Sequence, residues 1–178
     1  MRKLIYHVGT TLDNFICNED GSIGGFLPEG DHIPDYLDSL KNYDAVLMGR
    51  STYEFGYGFG LKPGMAPYPT MMNYVFSQSI KIDTPIDERL KIVRSDAISF
   101  IRDLKNTNGG PIYLCGGGIF ASSLLDNGLI DSLIIKLNPV ILGKGIRLFD
   151  RSSRQVQLSL IDTKIYNSGV VLLTYSIK

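Results

Sequence analysis

The chain has 178 residues, 44% of them hydrophobic, with 18 basic side chains balanced by 18 acidic ones. That length suits one domain, 1–178, able to bury a core without staples, and the even charge excludes a global field for nucleic acid or an acidic membrane. No apolar run approaches the roughly 18–20 residues needed to cross a bilayer, the first eight residues lack the core and cleavage site of a signal peptide, and a cytoplasmic protein is expected.

Residues 2–8 alternate loosely and predict a strand. His7 within it reads as a packed imidazole rather than a catalyst. Thr10 to Ile16 follow, then a polar, glycine-rich loop from Asn18 to Gly30, long enough to serve as a lid. A helix is expected from Pro34 to Tyr43, with Tyr36, Leu37 and Leu40 on one face. Ala45–Met48 predicts a second, fully apolar strand, and Gly49, Arg50, Ser51 and Thr52 come directly after it. Ser51 and Thr52 are candidate helix caps. Arg50 offers a fork of donors suited to a phosphate, or else a surface ion pair.

Residues 56–70 read as a Gly- and Pro-rich loop. Tyr74–Phe76 predicts a third strand, ending in Ser77, Gln78 and Ser79, and Leu90–Val93 a fourth. Ser95 is the expected cap of a helix whose apolar face is Ala97, Ile98, Ile101 and Leu104. Ile112–Cys115 then has the unbroken apolar character of a strand buried on both faces. Gly116, Gly117 and Gly118 follow, a helix begins near Ile119 and Phe120, and Gly128 stands where it would stop. Strand, glycine turn and helix can hold a phosphate on backbone N–H groups, or form a tight turn that binds nothing. This is not the dinucleotide fingerprint, because Ala121 stands in for the third glycine.

Ser132–Leu142 predicts a further strand, interrupted at Asn138 and Pro139. Lys144 and Arg147 beyond it are candidates for a substrate phosphate, or lie on a surface loop. In the tail, Asn167-Ser168-Gly169 separates two strand-like segments and predicts an antiparallel hairpin. Cys17 and Cys115 read as reduced, packed thiols. Two histidines without a CxxC suggest no metal site. The alternation of strands and helices predicts an α/β fold with a largely parallel sheet wrapped by helices and an antiparallel hairpin at its edge. Segments 10–16, 49–52, 77–79 and 116–118 would meet at the carboxyl ends of the strands, where ligands collect in such sheets.

Thr11-Leu12-Asp13-Asn14-Phe15-Ile16 and Met48-Gly49-Arg50-Ser51-Thr52-Tyr53 resemble the S-L-D-G-x-I and M-G-R-x-T-Y stretches of the dihydrofolate reductase superfamily. Val75-Phe76-Ser77 and Cys115-Gly116-Gly117-Gly118 come in that family's order. Pro139 to Gly145, with Leu148 and Phe149, resemble the subgroup containing the reductase domain of the bifunctional riboflavin-biosynthesis deaminase/reductase. The resemblance implies a three-layer fold with a mostly parallel eight-stranded sheet, often dimeric, and an NADPH-dependent reductase. It implies that Gly49, Arg50, Ser51 and Thr52 hold the adenosine-side phosphates, with Ser77, Gln78 and Ser79 near the adenine and 2′-phosphate. Gly116, Gly117 and Gly118, with Cys115, Ile119 and Phe120, would meet the pyrophosphate. Val8, Thr10, Leu12 and Ile16 would border the nicotinamide, and Asp13 the mouth of the substrate site.

Asp13 is then the first candidate proton donor, if burial raises its pKa, with Asp31, Asp35 and Glu54 behind it. Asp31 and Asp35, with Lys144 and Arg147, are the candidate substrate-binding residues. Two positions depart from the family pattern. Asn14 replaces the glycine after the aspartate, a change tolerable because asparagine accepts left-handed backbone, and Ile33 stands where dihydrofolate reductases carry their folate-binding acid. The expected substrate is a pteridine- or pyrimidine-like heterocycle, with an activity close to 5-amino-6-(5-phosphoribosylamino)uracil reductase. The alternatives are a dihydrofolate reductase, a non-catalytic NADP(H)-binding protein and a purely structural homodimer.

Overall fold

A computed structural model describes residues 1–178. In chain order the elements are β1 (Leu4–Thr10), β2 (Phe15–Cys17), α1 (His32–Ser39), β3 (Ala45–Gly49), α2 (Arg50–Phe55), β4 (Met72–Phe76), β5 (Leu90–Val93), α3 (Ala97–Asn106), β6 (Ile112–Gly116), α4 (Gly118–Asp126), β7 (Ser132–Leu137), β8 (Ile146–Arg147), β9 (Leu158–Ile165) and β10 (Val171–Ile177). Eight strands form one sheet in the order β5-β4-β3-β6-β1-β7-β10-β9, and β2 pairs with β8 in a small separate ribbon. The first six strands in that order run parallel; β10 and β9 join antiparallel, as the tail hairpin predicts.

The parallel strands are apolar on both faces because helices cover both. Leu4, Tyr6, Leu47, Ile112 and Leu114 pack against Ile101 and Leu104 of α3 and Ala121, Leu124 and Leu125 of α4. Val46, Met48, Val75 and Tyr113 form the opposite cluster with Tyr43 and with Tyr53 of α2. No helix is long and apolar enough to cross a membrane, and both cysteines are free thiols.

The helix ends refine the expectations. Gly128 closes α4 as anticipated, in left-handed backbone (φ 66°). Its N–H donates to Leu125 O at 3.0 Å and that of Leu129 to Leu124 O at 2.9 Å, the paired bonds of a Schellman cap. α3 is capped by Asp96 rather than Ser95: the carboxylate accepts from the N–H groups of Ile98 and Ser99. Ser51 and Thr52 cap nothing, because α2 already begins at Arg50 with Gly49 as its cap residue. α1 starts at His32, ahead of Pro34, and gives way to a tighter turn over Leu40–Asn42.

β7 stops at Leu137, short of Leu142. The Asn138 side chain bridges the Thr10 and Lys136 carbonyls (3.3 and 3.1 Å) and accepts from the N–H of Leu27. Those bonds turn the chain out of the sheet, and Ile146–Arg147 then pairs with β2.

Candidate functional site

Parallel registry brings the carboxyl ends of β1, β3, β4 and β6 to one rim. Gly49 lies opposite Phe76, and Met48 opposite Gly116. Segments 49–52 and 77–79 touch, since the Arg50 guanidinium donates to Ser79 Oγ at 3.0 Å. It also lies 3.5 Å from Glu54, the surface ion pair that is one of its two local readings. Segments 49–52 and 116–118 adjoin as well: a Cβ built on Gly117 would lie 3.5 Å from Thr52 Oγ1.

Two rim glycines are not required by the backbone. Gly49 has φ −76° and ψ 167°, and Gly117 has φ −91° and ψ −169°, conformations open to any L residue. A Cβ on Gly49 would meet nothing within 4 Å. Space is therefore kept clear at a point where the fold itself does not demand it. The Gly116–Gly117 peptide is cis. In α4, Ala121 N–H is answered by Gly117 O at 2.9 Å; amides ahead of it in a first turn find no partner inside the helix. Gly118 has a different duty. A Cβ there would run into the backbone carbonyl of Arg147, so this glycine seats the 146–149 segment.

The 77–80 loop has a further organiser. Gln78 Nε2 donates to Arg94 O at 2.5 Å, and the Arg94 guanidinium donates to the carbonyls of Ser77, Gln78 and Ile80. Ser77 Oγ accepts from the N–H groups of Ser79 and Ile80. Arg94, just past β5, is absent from the sequence reading; its signal is a cation at the end of the neighbouring strand.

At the end of β1, Thr10 is buried and its hydroxyl donates to Phe15 O at 3.1 Å. Leu12 is exposed, and Asn14 takes the left-handed backbone its position calls for (φ 65°). Val8 and Ile16 are half-buried beside them. Asp13 accepts from Thr11 Oγ1 (2.6 Å) and from the N–H groups of Leu142 and Gly143 (3.2 and 2.7 Å). The bond from Thr11 leads these in holding its carboxyl below the ordinary range. It is a loop-bracing carboxylate, not a proton donor with a raised pKa.

Asp31 and Asp35 are also occupied. Asp31 accepts from the N–H groups of Asn167 and Ser168, and Asp35 from Tyr166 and Lys164. Together they clamp α1 to the β9–β10 turn. Lys144 pairs with Glu19 at 2.9 Å in solvent. The Arg147 guanidinium lies 5.4 Å from the Phe15 ring centroid. It borders a cavity of about 560 Å³ between the sheet and Leu148–Phe149, which Thr10 and Leu12 also line.

On the opposite face of the sheet, beside Cys115, lies a packed cluster of aromatic side chains. The Tyr36 hydroxyl meets that of Tyr113 at 3.3 Å, and Tyr68 meets Cys115 Sγ at 3.5 Å. His7 packs edge-on to Tyr36 with centroids 5.4 Å apart, and its Nδ1 lies 3.3 Å from the Tyr43 hydroxyl. Burial, then the charge of Lys136, lowers its pKa to about 4. His7 is thus the packed imidazole its strand position predicts. An imidazole neutral when folded but free to protonate when unfolded makes the unfolded state bind more protons between about pH 6.5 and 4. Stability therefore falls as pH drops through that window, by about 3 kcal/mol from this group alone. NMR titration in a His32→Gln background is expected to find His7 neutral down to about pH 5; a midpoint near 6.5 contradicts its burial.

With this geometry in hand, comparison with known proteins is decisive on family. The profile of the RibD C-terminal domain matches residues 2–172. The chain belongs to this family. Two Bacillus subtilis (strain 168) proteins of uncharacterized function are similar over nearly their whole length. YwjB is 35% identical over 174 residues, covering 96% of each chain. YyaP is 26% identical over 183 residues, covering 98% of this chain and 94% of its own.

A solved putative riboflavin biosynthesis protein from Shewanella sp. PV-4 superposes with TM-score 0.82 at 22% identity, over 99% of both chains. The Thermotoga maritima diaminohydroxyphosphoribosylaminopyrimidine deaminase/5-amino-6-(5-phosphoribosylamino)uracil reductase superposes with TM-score 0.71 at 17% identity. It covers 99% of this chain, which matches 57% of the longer one. At these identities the likeness shows the fold. It is the dihydrofolate-reductase-like fold of the RibD C-terminal domain, with the eight-stranded sheet and terminal hairpin that the sequence motifs imply.

Proposed function

We propose that this RibD C-terminal domain protein is an NADPH-dependent reductase of a pteridine- or pyrimidine-like heterocycle, most similar to 5-amino-6-(5-phosphoribosylamino)uracil reductase. The observation that carries the reading is the cradle at Gly49 and Gly117, where a side chain would fit the fold but fill the space. The residues fit a dinucleotide. Gly49, Thr52 and Gly117 leave room for close approach of phosphate to backbone. Arg50 and Ser79, joined at 3.0 Å, offer a guanidinium and a hydroxyl suited to the extra phosphate of NADPH.

When bound, NADPH supplies a hydride to the acceptor; the chain's residues hold, orient and screen the two partners. The folate alternative lacks its acid, since Ile33 stands at that position and Asp31 and Asp35 are engaged by the hairpin.

Thermal-shift and fluorescence titrations test the reading. NADPH is expected to bind the wild-type protein, and Gly49→Leu to lose at least about tenfold in affinity with its unfolding temperature unchanged, because a filled cradle forfeits phosphate contacts. Arg50→Ala is expected to weaken NADPH by about tenfold and NADH much less. If Gly49→Leu binds NADPH as the wild type does, the cradle is misassigned. Oxidation of NADPH in the presence of oxo-pyrimidines or dihydropteridines separates the reductase from a non-catalytic NADP(H)-binding protein, which would bind without turnover.

The homodimer implied by the family resemblance also has a surface to use. Edge strand β9 exposes Leu158, Leu160 and Ile165 by 39%, 56% and 77%. Registry puts them on the face of Leu173 and Tyr175, continuous with the 560 Å³ cavity. A long apolar edge is a liability unless covered, and a second copy would cover it. Light scattering is expected to give a dimer for the wild type and a monomer for Leu160→Lys with Ile165→Lys; a monomeric wild type at micromolar concentration overturns it.

A further inference from the structure

We propose that Lys136 is the substrate-recognition cation of this rim, and that it receives the negatively charged oxygen of a flat, anionic oxo-heterocycle. The proposal rests on the reductase reading for its setting but not for its test. Lys136 lies directly opposite Gly9 in the pairing of β7 with β1. Gly9 has no side chain to fill the space, and a Cβ there would sit 3.4 Å from Lys136 Cε and 3.6 Å from Phe26 of the long loop. That loop is pinned across the site through Leu27 N–H to Asn138.

What singles Lys136 out is the absence of a partner for its charge. It joins none of the protein's ion pairs, and Nζ lies 5.9 Å from the centroid of the Tyr36 ring. A half-buried ammonium without a counter-ion is costly, and burial here lowers its pKa. Asp13, Asp31 and Asp35 are committed to loop amides and the hairpin.

The other titratable groups of this aromatic cluster carry no compensating charge. His7 is held neutral, and burial pushes Tyr36, Tyr43, Tyr68, Tyr113 and Cys115 toward their protonated forms. One formal charge borders the cluster, that of Lys136, and it is positive. The aromatic rings around it suit a flat ligand, so the complementary occupant is a planar ring that brings a negative oxygen. Cys115 stands two residues before the cradle glycine Gly117, which sets this cluster beside the proposed cofactor path.

The test titrates full-length protein, with and without NADPH, against orotate (a uracil bearing a carboxylate) and against 2,4-diaminopyrimidine as a cationic control, read by NMR shifts and tyrosine fluorescence. Orotate is expected to bind the wild type more tightly than the control, and Lys136→Met to weaken orotate at least tenfold, the loss of one charge-assisted contact. Lys136→Arg is expected to restore part of that binding. The His7 pKa is expected to rise in Lys136→Met as the neighbouring cation disappears. Failure of orotate to bind the wild type at millimolar concentration, or equal binding by wild type and Lys136→Met, overturns the proposal. NADPH affinity is expected to be the same in wild type and Lys136→Met. Loss of NADPH binding from both would sink the reductase reading while the cofactor-free titration still judged Lys136.

Discussion

Gly118→Ala is expected to destabilise the protein by about 3 kcal/mol, a large fraction of a domain's total stability. The added methyl would collide with the backbone carbonyl of Arg147. Unlike a clash with the tip of a side chain, this one has no rotamer to relieve it. Alanine's advantage over glycine within a helix is at most about 1 kcal/mol, so the steric term wins. Relief requires either the start of α4 or the 146–149 segment to move. In the second case β8 parts from β2, where Phe15 opposes Arg147, and the Tyr6 hydroxyl loses the Leu148 carbonyl. Urea and thermal unfolding would measure the loss, with Gly49→Leu as the control. Two glycines at one rim then behave in opposite ways: substitution at Gly49 lowers NADPH affinity at constant stability, and substitution at Gly118 lowers stability first. An unfolding midpoint for Gly118→Ala within error of wild type would mean that the segment seats elsewhere.

The same contrast explains how far the molecule could be read from its residues. Short apolar runs such as Ala45–Met48 and Ile112–Cys115, each followed by glycine, announce buried parallel strands, and the sheet contains them in that form. The four segments at the strand ends converge because parallel registry leaves them little choice. What sequence conceals is which group answers which. Asp13 has the residue type of a proton donor, but beyond its neighbour Thr11 its partners lie 129 and 130 positions away in the loop after β7. Asp31 and Asp35 are likewise claimed by a hairpin more than a hundred residues on. Lys136 escapes notice for the converse reason. A lone lysine in Ser132–Leu137 looks solvent-facing until registry sets it opposite Gly9. Asp96 displaces Ser95 as a cap because α3 begins one residue later than the serine would require.

Asp131→Ala is expected to cost about 3 kcal/mol, and more than Lys105→Met, although both break one ion pair. Lys105 is buried, with Nζ donating to Leu129 O at 2.7 Å and to Asp131 Oδ2 at 2.5 Å. The same carboxylate oxygen accepts from Leu4 N–H at 2.7 Å, and the Asp131 N–H returns a bond to Leu4 O at 2.9 Å. Removing the carboxylate strands a buried ammonium and leaves the first amide of β1 without its acceptor. Water reaches the aspartate side, which is 38% exposed, and that holds the cost near the low end of the range for buried pairs. Lys105→Met instead removes the buried charge and keeps most of the stem, leaving a carboxylate that solvent can satisfy; about 1 kcal/mol is expected. Chemical denaturation of the two variants gives the order directly, and equal or reversed costs would mean that the ammonium is not the strained partner. Because Leu4 begins β1 and the cradle lies at the strands' other end, the folded fraction of both variants is expected to bind NADPH with wild-type affinity. The amino end of the sheet thus secures the strands, at the far end from the rim of Gly49 and Gly117.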